Sequence, residues 1–396
     1  MPIRTYRCPV SALVARIRGD HHPHNQFTDS HRPRSRASPD LGREVPMRSD
    51  SPHRASTTAA DTLGGTTVEW YDFFLYGTAS ALVFNKQFFP ALSPAAGTLA
   101  AFATLTVGFI ARPLGGLILG HFGDRIGGRA TLVVSLLVMG ISSTLIGVVP
   151  NYAAIGVCAP VLLVLLRVLQ GIWLGGGGAG TTLMSMEHAP EGRRNLYAGF
   201  PQMGTPAGLV LANLVFLGVG GVTGPAAFAA WGWRIPFLLS IVLVAIGLAI
   251  RLRVTESPSF DRFKAHAEVA RFPLGDALRV GLARLAVTLL AVIANSAVAY
   301  VFLVFALSFG TQRLGYGQQF LVLGITGASV LWLAAIPFWT RFADRHGRRG
   351  MFLGGSVALL LWCAAFFPLL STGNTAAALV ALAGMGLIIP VTESQA

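Results

Sequence analysis

Charge is what this chain has least of. Asp, Glu, Lys and Arg make up 12% of its 396 residues, against 53% hydrophobic residues, and the mean hydropathy is +0.61. That balance excludes a water-soluble domain of this length, because too little polar surface exists to cover so large an apolar volume. Cysteine is scarce too. Cys8, Cys158 and Cys363 lie far apart with no CxxC or CxxH spacing, so neither a disulfide framework nor a metal site is indicated. No Ser/His/Asp, Cys/His or His-Glu-x-x-His arrangement is found, and the polar residues inside apolar runs are too few for an enzyme active site or a cofactor cradle. What abounds instead is Gly (46) and Pro (22). Both are tolerated inside membrane helices, where neighbouring helices and waters re-satisfy the backbone.

The net charge of +13 is unevenly placed: ten of the 30 Lys and Arg precede residue 60, in a Pro-, Ser- and His-rich stretch without hydrophobic period. Residues 1–60 therefore read as a disordered basic leader. A nucleic-acid tail would need interleaved aromatics, which are missing, so no nucleic-acid partner is expected. Met47, which runs directly into the first apolar segment, is an alternative start. Beyond the leader, stretches of the length that crosses a hydrocarbon core recur at 66–88, 98–120, 130–149, 153–180, 195–219, 235–252, 282–308, 318–340, 350–370 and 375–391. Fifteen Lys and Arg fall in the loops on one side of these ten spans. Only Lys86, Arg234 and Arg313 fall on the other. The excess marks the cytoplasmic side, which holds the N-terminus and the long polar loop 253–281.

That loop divides the chain into residues 61–252, with six spans, and 282–396, with four. The halves are related. Gly120-His121-Phe122-Gly123-Asp124-Arg125-Ile126-Gly127-Gly128-Arg129 stands between spans 2 and 3, and Phe342-Ala343-Asp344-Arg345-His346-Gly347-Arg348-Arg349 between spans 8 and 9, with Asp344 following Asp124 by 220 residues. One such charged turn is a weak signal; two at corresponding places argue for an internal duplication. Such a turn can pair an acid with guanidinium groups in one conformation and part them in another, a latch built from Gly120, Asp124, Arg125, Arg129, Asp344, Arg345, Arg348 and Arg349.

In these turns the sequence resembles the major facilitator superfamily, and in particular its metabolite:proton symporters for organic acids, shikimate and betaines. The matching residues are Glu69-Trp70-Tyr71-Asp72-Phe73, Ala111-Arg112-Pro113-Leu114-Gly115-Gly116, Arg167-Val168-Leu169-Gln170-Gly171, Glu187-His188-Ala189-Pro190, Trp233-Arg234-Ile235-Pro236-Phe237 and Glu256-Ser257-Pro258. The resemblance implies an all-α, polytopic membrane helix bundle of the major facilitator type, here with about ten spans, six plus four, instead of twelve. It also implies a multi-pass protein of the cell inner (plasma) membrane. By the same resemblance Asp124 would close the cytoplasmic side against an eleventh helix that this chain, read as C-terminally truncated, does not have.

Ionisable groups within spans cost about 2.5–3.5 kcal/mol each on insertion scales, so they are functional or paired. Glu69 and Asp72, three residues apart, share a helical face flanked by Trp70 and Tyr71. Two acids so close in low dielectric do not both ionise readily, the condition for a reversible proton carrier; the other reading makes Glu69 an anchor at headgroup level. Arg112 and Arg167 should face the bundle interior, to pair with an acid or receive an anionic solute. The resemblance links Arg167, with Gln170 beside it, to proton transfer, while Arg112 could be a structural partner of Asp72. Asn295 and Tyr300 either line a cavity or bond between helices. The run Gly175–Gly180 formally contains G-x-G-x-x-G, but it follows a span and opens no nucleotide-binding unit, so close helix packing is the better explanation.

The expected function is thus secondary active transport of a small polar, organic-acid-like metabolite, coupled to protons and working by alternating access in the bilayer. An uncoupled facilitator is the first alternative, favoured by Gly177, where the resembled branch commonly has a glutamate. A solute-binding membrane sensor and an inactive truncated product are the others. No motif encodes the substrate or the oligomeric state.

Overall fold

The computed structural model describes residues 52–126, 128–187, 189, 194–251, 290 and 297–393. Long helices account for almost all of them. α1 (Pro52–Ala79) continues through a π-helical turn, Ser80–Phe84, into Asn85–Phe88. α2 (Pro94–Ile126), α3 (Gly128–Val148), α4 (Cys158–Glu187), α5 (Arg194–Ala227) and α6 (Arg234–Arg251) complete a first group. α7 (Ala297–Gln312), α8 (Gln318–His346), α9 (Arg348–Ser371) and α10 (Thr375–Glu393) form a second. Each expected span thus has a helix among the described residues, the seventh from Ala297 onward, while the loop 253–281 lies outside them.

Six of these helices are long and apolar enough to cross a bilayer outright: Pro94–Gly116, Cys158–Gly175, Leu196–Gly232, Gln318–Ala343, Gly350–Ser371 and Thr375–Thr392. Three more, in α3, α6 and α7, are apolar but shorter. α1 dilutes its apolar character with Glu69, Asp72 and several threonines, and it begins at Pro52 rather than near residue 66, inside the stretch read as leader. Proline suits a first helical turn, where no backbone donor is needed. The fourth span also starts differently. Asn151 caps a single turn, Tyr152–Ile155, that stops at Gly156 with φ +59°, and the long helix begins at Cys158.

Large apolar side chains cover the outside of the bundle, among them Leu99, Ile110, Val222 and Leu360. In water such a surface would be untenable; in lipid it costs nothing. Within the first group α1 packs on α5 and α6, α2 on α4, and α3 on α4 and α6; in the second, α8 and α9 pack on α10, and α5 and α8 join the groups. Without a hydrophobic drive between helices in lipid, these contacts rest on close approach. A Cβ at Gly171 of α4 would lie 2.1 Å from the Gly108 carbonyl oxygen of α2, and a Cβ at Gly386 of α10 would lie 2.1 Å from the Ala328 carbonyl oxygen of α8. Ala328 follows Gly108 by 220 residues, the offset that separates Asp344 from Asp124. One helix joint is therefore built twice.

The Trp233-Arg234 motif has a local structural use. Arg234 Nη1 donates to the carbonyls of Gly147 (3.0 Å) and Val149 (2.5 Å) at the end of α3. There a cation satisfies orphan acceptors and the helix dipole together. The guanidinium stacks over Trp233, with 4.6 Å to the ring centroid, and Trp233 itself is fully buried.

Candidate functional site

Asp72 lies in the interior of α1 and is 1% exposed. Its direct partner is a hydroxyl: Ser240 Oγ of α6 donates to Asp72 Oδ1 at 2.5 Å. The hydroxyl of Ser143, on α3, faces the same carboxyl and accepts a hydrogen bond from Gln170 Nε2 at 2.7 Å. Gln170 in turn accepts from Arg167 Nη1 at 2.8 Å. Four helices thus contribute to one polar string, Ser240, Asp72, Ser143, Gln170 and Arg167, and all five side chains are buried. Arg167 also lies over the Tyr76 ring, 3.5 Å from its centroid, and the Tyr76 hydroxyl is bonded to Thr104.

A second constellation surrounds Arg112 of α2. Its guanidinium carbon is 4.4 Å from the Phe109 centroid, 4.6 Å from that of Phe73 and 5.6 Å from that of Trp70. Phe73 is shared, since the Arg167 guanidinium carbon stands 4.8 Å from its centroid. Tyr300 of α7 closes the cluster from the other half, at 5.4 Å from Phe73 and 4.8 Å from Phe109. Cation–π contact at an exposed site is worth about 0.5–1 kcal/mol, and about 2 when desolvated. It does not supply hydrogen-bond acceptors, and Nε and Nη2 of Arg112 and of Arg167 are buried without partners.

Of the residues singled out in the sequence, Asp72, Arg167 and Gln170 come together in the string, and Tyr300 joins Arg112 in the aromatic cluster. Glu69 is buried one turn before Asp72. Arg112 rests on aromatic faces rather than on Asp72. Tyr71 turns the other way, its hydroxyl donating to the Pro236 carbonyl at 2.8 Å, a tie between α1 and α6. Asn295 lies outside the described residues. So do the surroundings of Gly120 and the side chains of Asp124, Arg125, Arg129, Asp344, Arg345, Arg348 and Arg349, residues whose backbone forms the facing ends of α2, α3, α8 and α9. Gly175 packs against α2, where a Cβ would lie 2.0 Å from the Arg112 carbonyl oxygen, as the packing explanation of the glycine run requires. Ser143, Ser240, Phe73 and Phe109 were not singled out as site residues. A lone serine or phenylalanine in an apolar helix gives no periodic or spacing signal, and Ser240 meets Asp72 across 168 residues of sequence.

At the end remote from the arginine-rich turns, Gln312 Nε2 of α7 donates to Thr98 Oγ1 of α2 at 3.2 Å, a polar contact between the halves. A cleft of about 620 Å³ beside it is lined by Asn85, Lys86, Thr311, Arg313 and Gln318 among others.

A helix bundle in two related halves, with buried charges held between membrane-spanning helices, defines a membrane transporter, not an enzyme, and the chain belongs to the Major Facilitator Superfamily, whose model matches residues 62–395. It is 40% identical over 323 residues to the inner membrane metabolite transport protein YhjE of Escherichia coli (79% of this chain, 72% of that one). It is also 40% identical over 317 residues to the shikimate transporter of the same organism, with the same coverage. Among solved structures it is similar in fold to the proton:xylose symporter XylE, with TM-score 0.70 and 17% identity, over 87% of this chain and 81% of the other.

Proposed function

We propose that the protein is a proton-coupled symporter of a small carboxylate-bearing metabolite, and that Asp72 is its proton carrier. The carrying observation is the company Asp72 keeps. A carboxylate in contact with a guanidinium is fixed in the charged form, whereas a hydroxyl can donate to the carboxylate or accept from the acid. Held by Ser240 and faced by Ser143, Asp72 can be satisfied in both protonation states. Gln170 passes the state of this site to Arg167, because an amide that donates at one end and accepts at the other links the two groups. Rocking of the halves about the Tyr300 contact then exposes the site to either side in turn. The relatives' names, an inner membrane metabolite transport protein and a shikimate transporter, support an organic acid as the solute and the inner membrane as the location.

The loop asymmetry in Lys and Arg supports a cytoplasmic N-terminus, with the paired Asp124 and Asp344 turns as a cytoplasmic latch. The test is uptake of shikimate and simple organic acids by proteoliposomes under an imposed pH gradient. Accumulation that follows the gradient in the wild type and collapses in Asp72→Asn is the expected result. Accumulation indifferent to the gradient would instead establish an uncoupled facilitator, the reading that Gly177 favours.

A further inference from the structure

The end of the bundle remote from the arginine-rich turns is built without acid. No Asp or Glu occurs in residues 73–123, 130–186, 195–255, 277–343 or 345–392, which include every helix and loop that reaches this end. Three cations stand there nonetheless. Arg234 is tied to the carbonyls at the end of α3. Lys86, on the continuation of α1, and Arg313, just past α7, are exposed, and this end offers them no carboxylate to pair with. Loops on this side of a membrane protein avoid Lys and Arg, so a cation kept here needs a use. One ordinary use is a grip on lipid headgroups, with the aliphatic stem lying along the bundle. The placing of this pair argues for another. Both line the cleft of about 620 Å³ between the halves, a volume within the range of about 300–1,000 Å³ that holds small ligands. The other polar groups that line it, Asn85, Ser93, Thr311, Gln312 and Gln318, are neutral. A cleft with charge of one sign and low-dielectric walls focuses its field and raises the local concentration of the opposite ion.

The cleft also ends on the closed seam between the halves. Asn85 from one half and Gln312 from the other both donate to the Thr98 hydroxyl, at 3.4 and 3.2 Å. Further along the same two helices, α1 and α7, Gly77 meets Val304, where a Cβ would lie 3.1 Å from the Val304 side chain. Beyond that, Phe73 meets Tyr300. An anion gathered in the cleft therefore stands at one end of the interface that leads to the buried arginines.

We infer that this cleft is an entry site for an anionic solute, in which Lys86 of the first half and Arg313 of the second hold an arriving carboxylate at the closed seam. Because the two cations belong to different halves, parting of the halves separates them and frees the anion into the opening. On the orientation that the Lys and Arg asymmetry supports, this is the outer face. The inference rests on the reading of the solute as a carboxylate and adds to it a place where that carboxylate is first met.

The charge of the cleft is read without transport, on the purified full chain in an uncharged detergent. The three native cysteines are replaced by alanine, and Gln318→Cys puts one thiol in the cleft. Two methanethiosulfonate reagents of similar size are compared, one bearing a sulfonate and one a trimethylammonium group. Each rate is taken relative to that of a small free thiol, and their ratio cancels the reactivity of the thiol itself. The sulfonate reagent should be favoured by about tenfold or more at low salt and by less at high salt. Lys86→Gln with Arg313→Gln should bring that preference to within about twofold of none. The second readout is uptake by proteoliposomes of shikimate, or of the simple organic acid that proves to be carried. The same double variant should raise KM by about five- to tenfold and leave the maximal rate within about twofold of the wild type. Lys86→Arg with Arg313→Lys keeps both charges and should leave KM unchanged. The inference is overturned if the sulfonate reagent is not favoured, which is what cations turned to lipid headgroups would give. It is equally overturned if the preference survives in the double variant, or if KM does not rise there. If no organic acid is taken up at all, the symport reading is what fails, and the thiol rates alone decide the cleft.

Discussion

The two halves share a joint and differ in what they attach to it. Gly171 presses on the Gly108 carbonyl in the first half and Gly386 on the Ala328 carbonyl in the second. Four residues before Gly171 stands Arg167, and one residue before it Gln170; the same places before Gly386 hold Leu382 and Met385. All four side chains are buried to within 2%. At this joint the duplicated backbone therefore keeps its packing in both copies, while the arginine and the glutamine are carried by one. A buried arginine needs a tailored surrounding, and the rings of Tyr76 and Phe73 supply it in the first half only. In the second half Leu382 and Met385 need nothing but volume.

The sharpest way to break this contrast is at the carboxyl within the polar string. Asp72→Asn should lower gradient-driven uptake by about a hundredfold or more while leaving solute counterflow in place, read side by side in the same proteoliposomes. Retained accumulation would remove the first half's special status. The joint itself is tested by alanine at each glycine. Gly171→Ala and Gly386→Ala should each destabilise the bundle by about 1–3 kcal/mol, and by similar amounts, in thermal melting of the detergent-solubilised protein. A large loss at one and none at the other would mean that the two crossings are not twins. Next comes an exchange of residues between copies: Gln170→Met should cut coupled uptake by about tenfold, whereas Met385→Leu should change it by less than about twofold. The smallest effect belongs to Tyr71→Phe, which removes the bond to the Pro236 carbonyl. About 1 kcal/mol of stability should be lost with the pH dependence of uptake unaltered, and a changed pH dependence would return Tyr71 to the site.

Much of this was readable in the sequence, for physical reasons that also mark where reading stops. Helices in lipid must satisfy their own backbone, so apolar run length alone places them, and charges inside such runs are costly enough to be conspicuous. That is how Asp72, Arg112 and Arg167 stood out. Their partners did not, because Ser143 and Ser240 cost little wherever they sit, and Phe73 and Phe109 look like any lipid-facing residue. Pairing also escaped. Sequence offered Arg112 to Asp72 by charge, but the geometry gives Asp72 two hydroxyls and gives Arg112 three rings.

The π-helical turns at Ser80–Phe84 of α1 and Val301–Phe305 of α7 occupy corresponding places in the first helix of each half, 221 residues apart. A π turn holds one residue more than the α-helix can accommodate in its regular winding. Each residue in an α-helix advances the azimuth by about 100°. Since five residues of π turn rotate the chain by nearly as much as four of α-helix, the extra residue is taken up within the turn, and the outer stretches with Asn85 and with Gln312 keep nearly the facing that four α-helical residues would give them. A one-residue deletion within either turn would let it close to regular α winding and leave both stretches facing nearly as they do, which makes these two turns the places where the chain can lose a residue without rotating its outer end against the stretch that carries Asp72 or Tyr300.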